Sequence, residues 1–145
     1  MTTSQQTRIQ IQDTLDRFAF SYNHKDRDMV LSLIDPSFTG FGTGADEQAR
    51  GIDEYRRFLE RDLTQCDRVL IEFFDVHISA EGTVAWVACT SRITAETRGS
   101  TSTTVTRTTL VLKGTGHGWL VTHLHMSVPD GDQKDGESFC RQGSR

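Results

Sequence analysis

"VLIEFFDVHIS", Val69–Ser79, marks the place where this chain changes its period. Before it, apolar residues recur at helical spacing. From it onward they alternate, the pattern of strands with one buried face. Four alternating runs follow, Val69–Ser79, Val84–Thr97, Thr103–Lys113 and Trp119–Val128, divided by the turn signals "AEGT", "TRGSTS" and "KGTGHG". Connections this short predict neighbours paired antiparallel in a meander. The runs exceed the usual five or six residues, roughly, of a strand, which predicts a strongly bent sheet.

Upstream of the switch, Ile11, Leu15, Phe18 and Tyr22 fall on one stripe of a helix that "NHKD" ends. Asp26 then serves as N-cap for a shorter helix with Met29, Val30, Leu33 and Ile34 facing inward, and Pro36 blocks its continuation. "SFTGFGTG", Ser37–Gly44, reads as a short extended piece and a glycine-rich loop. A third helix comes from "GIDEYRRFLERDLTQC", Gly51–Cys66, with Ile52, Tyr55, Leu59, Leu63 and Cys66 at helical intervals and Asp53 and Glu54 in the first turn, where the helix dipole favours negative charge. Helices first and a meander afterwards is an α+β order. The expected fold is a conical barrel, three N-terminal helices packed on a strongly bent antiparallel sheet, with an open mouth. Residues 1–129 make one domain. Residues 130–145, almost without aliphatic side chains, make a polar, loosely held C-terminal tail.

A chain of 145 residues has room for one core. Its net charge of −4 and its lack of a dense Lys/Arg block argue against nucleic acid and anionic membrane as partners. The polar start, "MTTSQQTRIQ", has no apolar signal region and no apolar run spans a bilayer, so the expectation is a soluble cytoplasmic protein. Cys66, Cys89 and Cys140 are odd in number and widely spaced, which suggests free thiols rather than a disulfide framework or a zinc knuckle.

Chemistry is concentrated in "WLVTHLHMS", Trp119–Ser127. Strict alternation places Trp119, Val121, His123, His125 and Ser127 on one face. By the same rule Val84, Trp86, Ala88, Thr90 and Arg92 share a face, as do Val105, Arg107, Thr109 and Val111. A face mixing Trp, His and Arg with small residues suits a ligand cavity. The His123/His125 pair has three readings: two metal ligands, a general acid or base at His125, or hydrogen-bonded wall residues. No spacing nominates His24, His77 or His117 as further ligands, so neither a metal nor a cofactor is expected. Among carboxylates Asp46 and Glu47, in "GTGADEQARG", are the leading candidates. Asp46 can equally be a turn residue, and Asp75 can face inward with Phe73 and His77. Gly40, Gly42 and Gly44 do not reproduce a nucleotide-binding glycine pattern and read as a tight bend. Arg107, if buried, needs a carboxylate from the protein or from a ligand.

The succession "NHKDRDMVLSLIDPSFTGFGTG", "GTVAWVA" and "GHGWLVTHLHMSVP" resembles the SnoaL-like branch of the nuclear transport factor 2-like superfamily, over about residues 8 to 129. That superfamily includes ketosteroid isomerases, scytalone dehydratase and the association domain of calcium/calmodulin-dependent kinase II. The pattern formed by Gly118, Trp119, His123, His125 and Ser127 is similar to the last of these. The resemblance implies a homodimer formed through the outer face of the sheet and a pocket between the concave face and the helices. On this chain it points to Tyr22, Phe38, Phe41, Tyr55, Phe58, Trp86, Arg107, Trp119, His123 and His125 as pocket residues. The implied partner is a small organic molecule, with a carboxylate or carbonyl near Arg107. The implied chemistry is proton transfer of the isomerase, dehydratase or hydrolase type, with His125, Asp46 or His123 as acid or base. The alternative is a non-enzymatic ligand-binding or oligomerisation module, so whether the chain is an enzyme stays open. No carboxylate pair with the ketosteroid isomerase placement is evident.

Overall fold

The computed structural model describes residues 3–139. Its elements are α1 (Gln5–Asn23), α2 (Arg27–Ser32), β1 (Ile34–Phe41), β2 (Gln48–Arg50), α3 (Ile52–Gln65), β3 (Arg68–Glu81), β4 (Val84–Thr97), β5 (Ser100–Gly114) and β6 (Trp119–Ser127). The three helices stand where the periodicity places them. Ser4 caps α1 by accepting from the Thr7 backbone N–H, and Asp26 caps α2 by accepting from that of Met29. Two expected inward positions differ: Met29 is exposed, and Ile34, though buried, already belongs to β1.

The meander is present as β3–β4–β5–β6, antiparallel throughout. The chain before α3 adds two strands that the sequence signalled only as an extended piece. β1 pairs parallel with β6, and β2 folds back antiparallel on β1, giving the order β2-β1-β6-β5-β4-β3. The sheet is curved around the helices but is not closed into a barrel, because β2 and β3 remain edges.

An open edge exposes unpaired backbone groups. Here α1 covers that of β3. Asn23 pairs with Ile71 in both directions, its Nδ2 donating to the carbonyl at 3.1 Å and its Oδ1 accepting from the N–H at 2.6 Å. Further along, Arg8 donates to the Ile78 carbonyl and Thr3 accepts from the Ala80 N–H. These polar contacts fix the height and tilt of α1, so that Ile11, Leu15, Phe18 and Tyr22 meet the concave face at Ile71, Val87, Leu110, Leu112 and Val121.

Two irregularities decide which side chains face that core. Between Phe74 and His77, β3 has two residues opposite one on β4, with Asp75 in the left-handed region at φ 53°. Between Val121 and His123, β6 carries Thr122 as an extra residue, whose hydroxyl donates to the buried Asp35 carboxylate. Each bulge shifts the alternation by one. At Gly40 a side chain is excluded by close approach, since a Cβ would stand 2.6 Å from the Phe38 ring and 2.7 Å from the Leu124 carbonyl.

Candidate functional site

Between α1, α3 and the concave face lies a cavity of about 230 Å³. Its walls are largely aromatic: Phe18 and Tyr22 from α1, Phe38 from β1, Tyr55 and Phe58 from α3. Phe18 stacks near-parallel on Tyr22 at 6.2 Å between centroids, and Phe38 leans on Tyr55 at 4.8 Å. Val69, Ile71, Ile93, Leu124 and Met126 form the sheet side.

Into this apolar wall α3 inserts one carboxylate, Asp62. Tyr22 donates its hydroxyl hydrogen to Asp62 Oδ2 at 3.0 Å. Burial raises the Asp62 carboxyl above the usual carboxylate range, against the opposing effect of the Tyr22 hydrogen bond, and the nearby negative charge of Glu47 adds to the rise. Burial and the adjacent carboxylate likewise push the Tyr22 and Tyr55 hydroxyls well above the ordinary phenol range, so both stay protonated at any physiological pH. The Tyr55 hydroxyl has no hydrogen-bond partner among the described residues and is not sealed from space.

The rim is built by the loop between β1 and β2. Arg61 Nη1 donates to Asp46 at 2.7 Å, its other nitrogen is 3.4 Å from Glu47, and its guanidinium lies 5.1 Å from the centre of the Phe58 ring. The Arg61 hydrogen bond holds the Asp46 carboxyl below its ordinary value. Glu47 accepts from the Gly44 N–H and lines the cavity. A Cβ at Gly42 would overlap Glu47 Oε2, so a side chain there would displace the Glu47 carboxylate from its present position.

Of the residues singled out in the sequence, Tyr22, Phe38, Phe41, Tyr55 and Phe58 border this cavity. Asp46 stands at its rim as a turn residue bound to Arg61, with Glu47, its neighbour, inside. The expectation for the sheet residues is corrected. Trp86, Arg107, His123 and His125 share one face as alternation requires, but it is the outer one. Val87, Leu110 and Leu124 occupy the core beside them. Arg107 is exposed and donates to Ser127 Oγ and the Val128 carbonyl, so it needs no ligand carboxylate. His123 Nδ1 shares a hydrogen with Thr39 Oγ1 at 2.9 Å, and both imidazoles contact the Phe41 ring from that side.

Trp119 parts company with the histidines because the Thr122 bulge lies between them. It packs on the core and donates from Nε1 to Gln10 at 3.1 Å, beside a second, more open groove at the far end of α1. Asp75 and His77 are exposed and pair with each other at 3.2 Å. Among the described residues no three His, Cys, Asp or Glu side chains gather as a metal site. Cys66 lines the cavity. Burial pushes the Cys89 thiol up to about 11, and Cys140 lies outside the described residues.

Asp62 is the residue that the sequence reading missed. A signal existed: Tyr55, Leu59, Asp62, Leu63 and Cys66 lie on one helical stripe, and Asp62 is a lone carboxylate on that otherwise apolar face.

The model of the SnoaL-like domain matches residues 11–131. This chain belongs to the SnoaL-like family. The SnoaL-like chain has no significant match among curated proteins in sequence. In fold it is similar to a nuclear transport factor 2-like superfamily protein from Salmonella enterica, at 19% identity over 94% of this chain and 100% of that one, with a TM-score of 0.81. It is also similar to a Streptomyces avermitilis protein of the same superfamily, provisionally named a dehydratase (19% identity, 88% of this chain, 99% of that one, TM-score 0.80). A third is a Xanthomonas campestris protein provisionally named a calcium/calmodulin-dependent kinase II association domain (17% identity, 83% and 86%, TM-score 0.74). At these identities the likeness is one of fold. No helix of the described residues is long and apolar enough to cross a membrane.

Proposed function

We propose that this SnoaL-like protein binds a compact, ring-bearing organic molecule in the concave cavity and moves a proton to or from it, with Asp62 as the acid or base. The observation that carries this reading is a carboxyl set into an aromatic wall and oriented by the Tyr22 hydroxyl. Desolvation that raises a carboxyl toward neutrality suits it to proton exchange. Tyr22 fixes the Oδ2 edge, and Tyr55 offers a hydroxyl, always protonated, to a polar atom of the bound molecule. A base that removes a proton and returns it elsewhere accomplishes isomerisation. If instead it delivers the proton to a departing hydroxyl, it accomplishes dehydration, the reaction in the provisional name of the Streptomyces avermitilis neighbour.

His123, His125 and Arg107 act, in this reading, on the opposite face. There Val84 and Trp86, two residues apart on β4, are each more than two-fifths exposed, and Val105, equally exposed, stands further along the sheet opposite Arg92. Such a patch on a sheet face favours a second copy of the chain as its cover. The non-enzymatic association reading rests on this surface and is compatible with a working cavity behind it.

The test is the melting temperature against a panel of small ring compounds, for the parent chain and for Asp62→Asn. A ligand at a hundredfold its Kd adds about 2.7 kcal/mol. A shift that disappears in Asp62→Asn and survives in His125→Ala supports the reading; the reverse pattern overturns it.

A further inference from the structure

We infer that the cavity is built for a ring-bearing amine in its cationic form and rejects carboxylates. This deepens the reading of the cavity as a small-molecule site and rests on it, though not on any turnover. The described lining contains Asp62 and Glu47 and no Lys, Arg or His. The nearest guanidinium, that of Arg61, is held by Asp46 and Glu47 over the Phe58 ring and does not line the cavity. Lys25, at the end of α1, is likewise committed to the Cys66 and Asp67 carbonyls.

The aromatic walls act in the same sense. Phe18, Tyr22, Phe38, Tyr55 and Phe58 surround a space of about 230 Å³, enough for one ring with a short substituent. The faces of such rings attract an ammonium group and repel a carboxylate. An ammonium also has hydrogens to give. Asp62 can accept one, and the Tyr55 oxygen, without a partner among the described residues, can accept another. A carboxylate ligand would meet Asp62 and the Arg61-paired Glu47 in a low-dielectric space, with hydroxyl hydrogens of Tyr55, Thr43 and Thr104 in compensation and no cationic donor in the described lining. The burial that raises the Asp62 carboxyl is opposed by a cation placed beside it, so amine binding and ionisation of Asp62 reinforce each other.

Benzylamine, benzyl alcohol and benzoate share a ring and differ in charge, and calorimetric titration of the full chain with each separates the possibilities. Benzylamine is expected to bind at least about tenfold more tightly than benzyl alcohol, and benzoate not measurably. Asp62→Asn and, as a second variant that leaves the Tyr22 pair intact, Glu47→Gln should each weaken benzylamine by a larger factor than benzyl alcohol, narrowing the preference for the amine. Benzyl alcohol or benzoate binding as tightly as the amine overturns the inference while the small-molecule reading stands. Failure of all three at millimolar concentration in the folded parent chain overturns both.

Discussion

Along β4 the residues Val87, Cys89, Ser91 and Ile93 look toward the helices, while Trp86, Ala88, Thr90 and Arg92, each one position away, look outward. The inner surface carries apolar side chains, a buried hydroxyl cluster of Ser91, Thr106 and Thr108, and the cavity containing Asp62. The outer one carries cross-strand rows that run Trp86–Val111–His123–Thr39 and Ala88–Thr109–His125–Phe41. Trp86, Arg107, His123 and His125 gather outside. The desolvated carboxylate set into the inner wall, Asp62, comes from a helix. A row of chemically versatile side chains on a strand therefore marks a surface, and it becomes a site only on the face that the helices cover.

Phe38 is 1% exposed and packs against Tyr55 and Gly40. Phe38→Ala should lower the free energy of unfolding by about 3–5 kcal/mol, read by urea denaturation. A loss below about 1 kcal/mol would mean that the inner wall is not packed as described.

A second prediction concerns the outer face. If a second copy covers it, Trp86→Glu should raise the dimer dissociation constant at least about tenfold in analytical ultracentrifugation, with the fold intact by circular dichroism. An unchanged association state in the variant removes Trp86 from any interface, and a monomeric parent chain removes the dimer altogether.

Smaller, and sharper in sign, is the pH dependence set by Asp62. Its folded carboxyl titrates above the value of about 3.9 for an unfolded aspartate, so between the two the native state holds a proton that the unfolded chain has lost. That contribution is fully present below the unfolded value and disappears as pH rises through the folded one. Asp46 and Glu60, lowered by Arg61 and Arg27, act in the opposite sense and are common to parent and variant. The stability of Asp62→Asn relative to the parent should therefore climb with pH across that window in denaturation at a series of pH values. A flat difference would show that Asp62 is not desolvated.

The smallest expected effect belongs to the feature most prominent in the sequence. His125 is exposed and touches the Phe41 ring at 5.1 Å between centroids. His125→Ala should change stability by no more than about 0.5 kcal/mol and leave ligand-induced shifts in melting temperature in place. Loss of those shifts in this variant would join the two faces into one site.

Much of the architecture is readable locally. The caps at Ser4 and Asp26, the apolar stripe of α1, the acidic first turn of α3 and the four alternating runs each have a short-range cause, and each corresponds to an element. β2 is harder to foresee because three residues, Gln48–Arg50, show no periodicity, and the parallel pairing of β1 with β6 brings together segments distant in the chain. The aromatic half of the cavity is legible through the family resemblance, which points to Tyr22, Phe38, Tyr55 and Phe58, and Tyr22 and Tyr55 also lie on the apolar stripes of their helices. Its carboxylate is harder to read, because one polar residue on an apolar helical stripe is as compatible with a half-exposed position as with a buried one.

By itself the sequence determined the order of helices and strands, the turns between them and the fact that each strand has two unlike faces, because these depend on backbone preferences and on a period of two. Which face turns inward was decided only in three dimensions. On β4 the count leans to the face of Ala85, Val87, Cys89, Ile93 and Ala95, five apolar residues against three, but the largest apolar side chain, Trp86, stands on the other face, so sequence alone pulls both ways. The bulges at Asp75–Val76 and Thr122 shift the alternation within β3 and β6. Only the docking of α1 on the β3 edge, through Asn23, Arg8 and Thr3, and of α3 beside it selects the surface that is buried. The same docking brings Tyr22 and Asp62, forty residues apart in the chain, within 3.0 Å of each other.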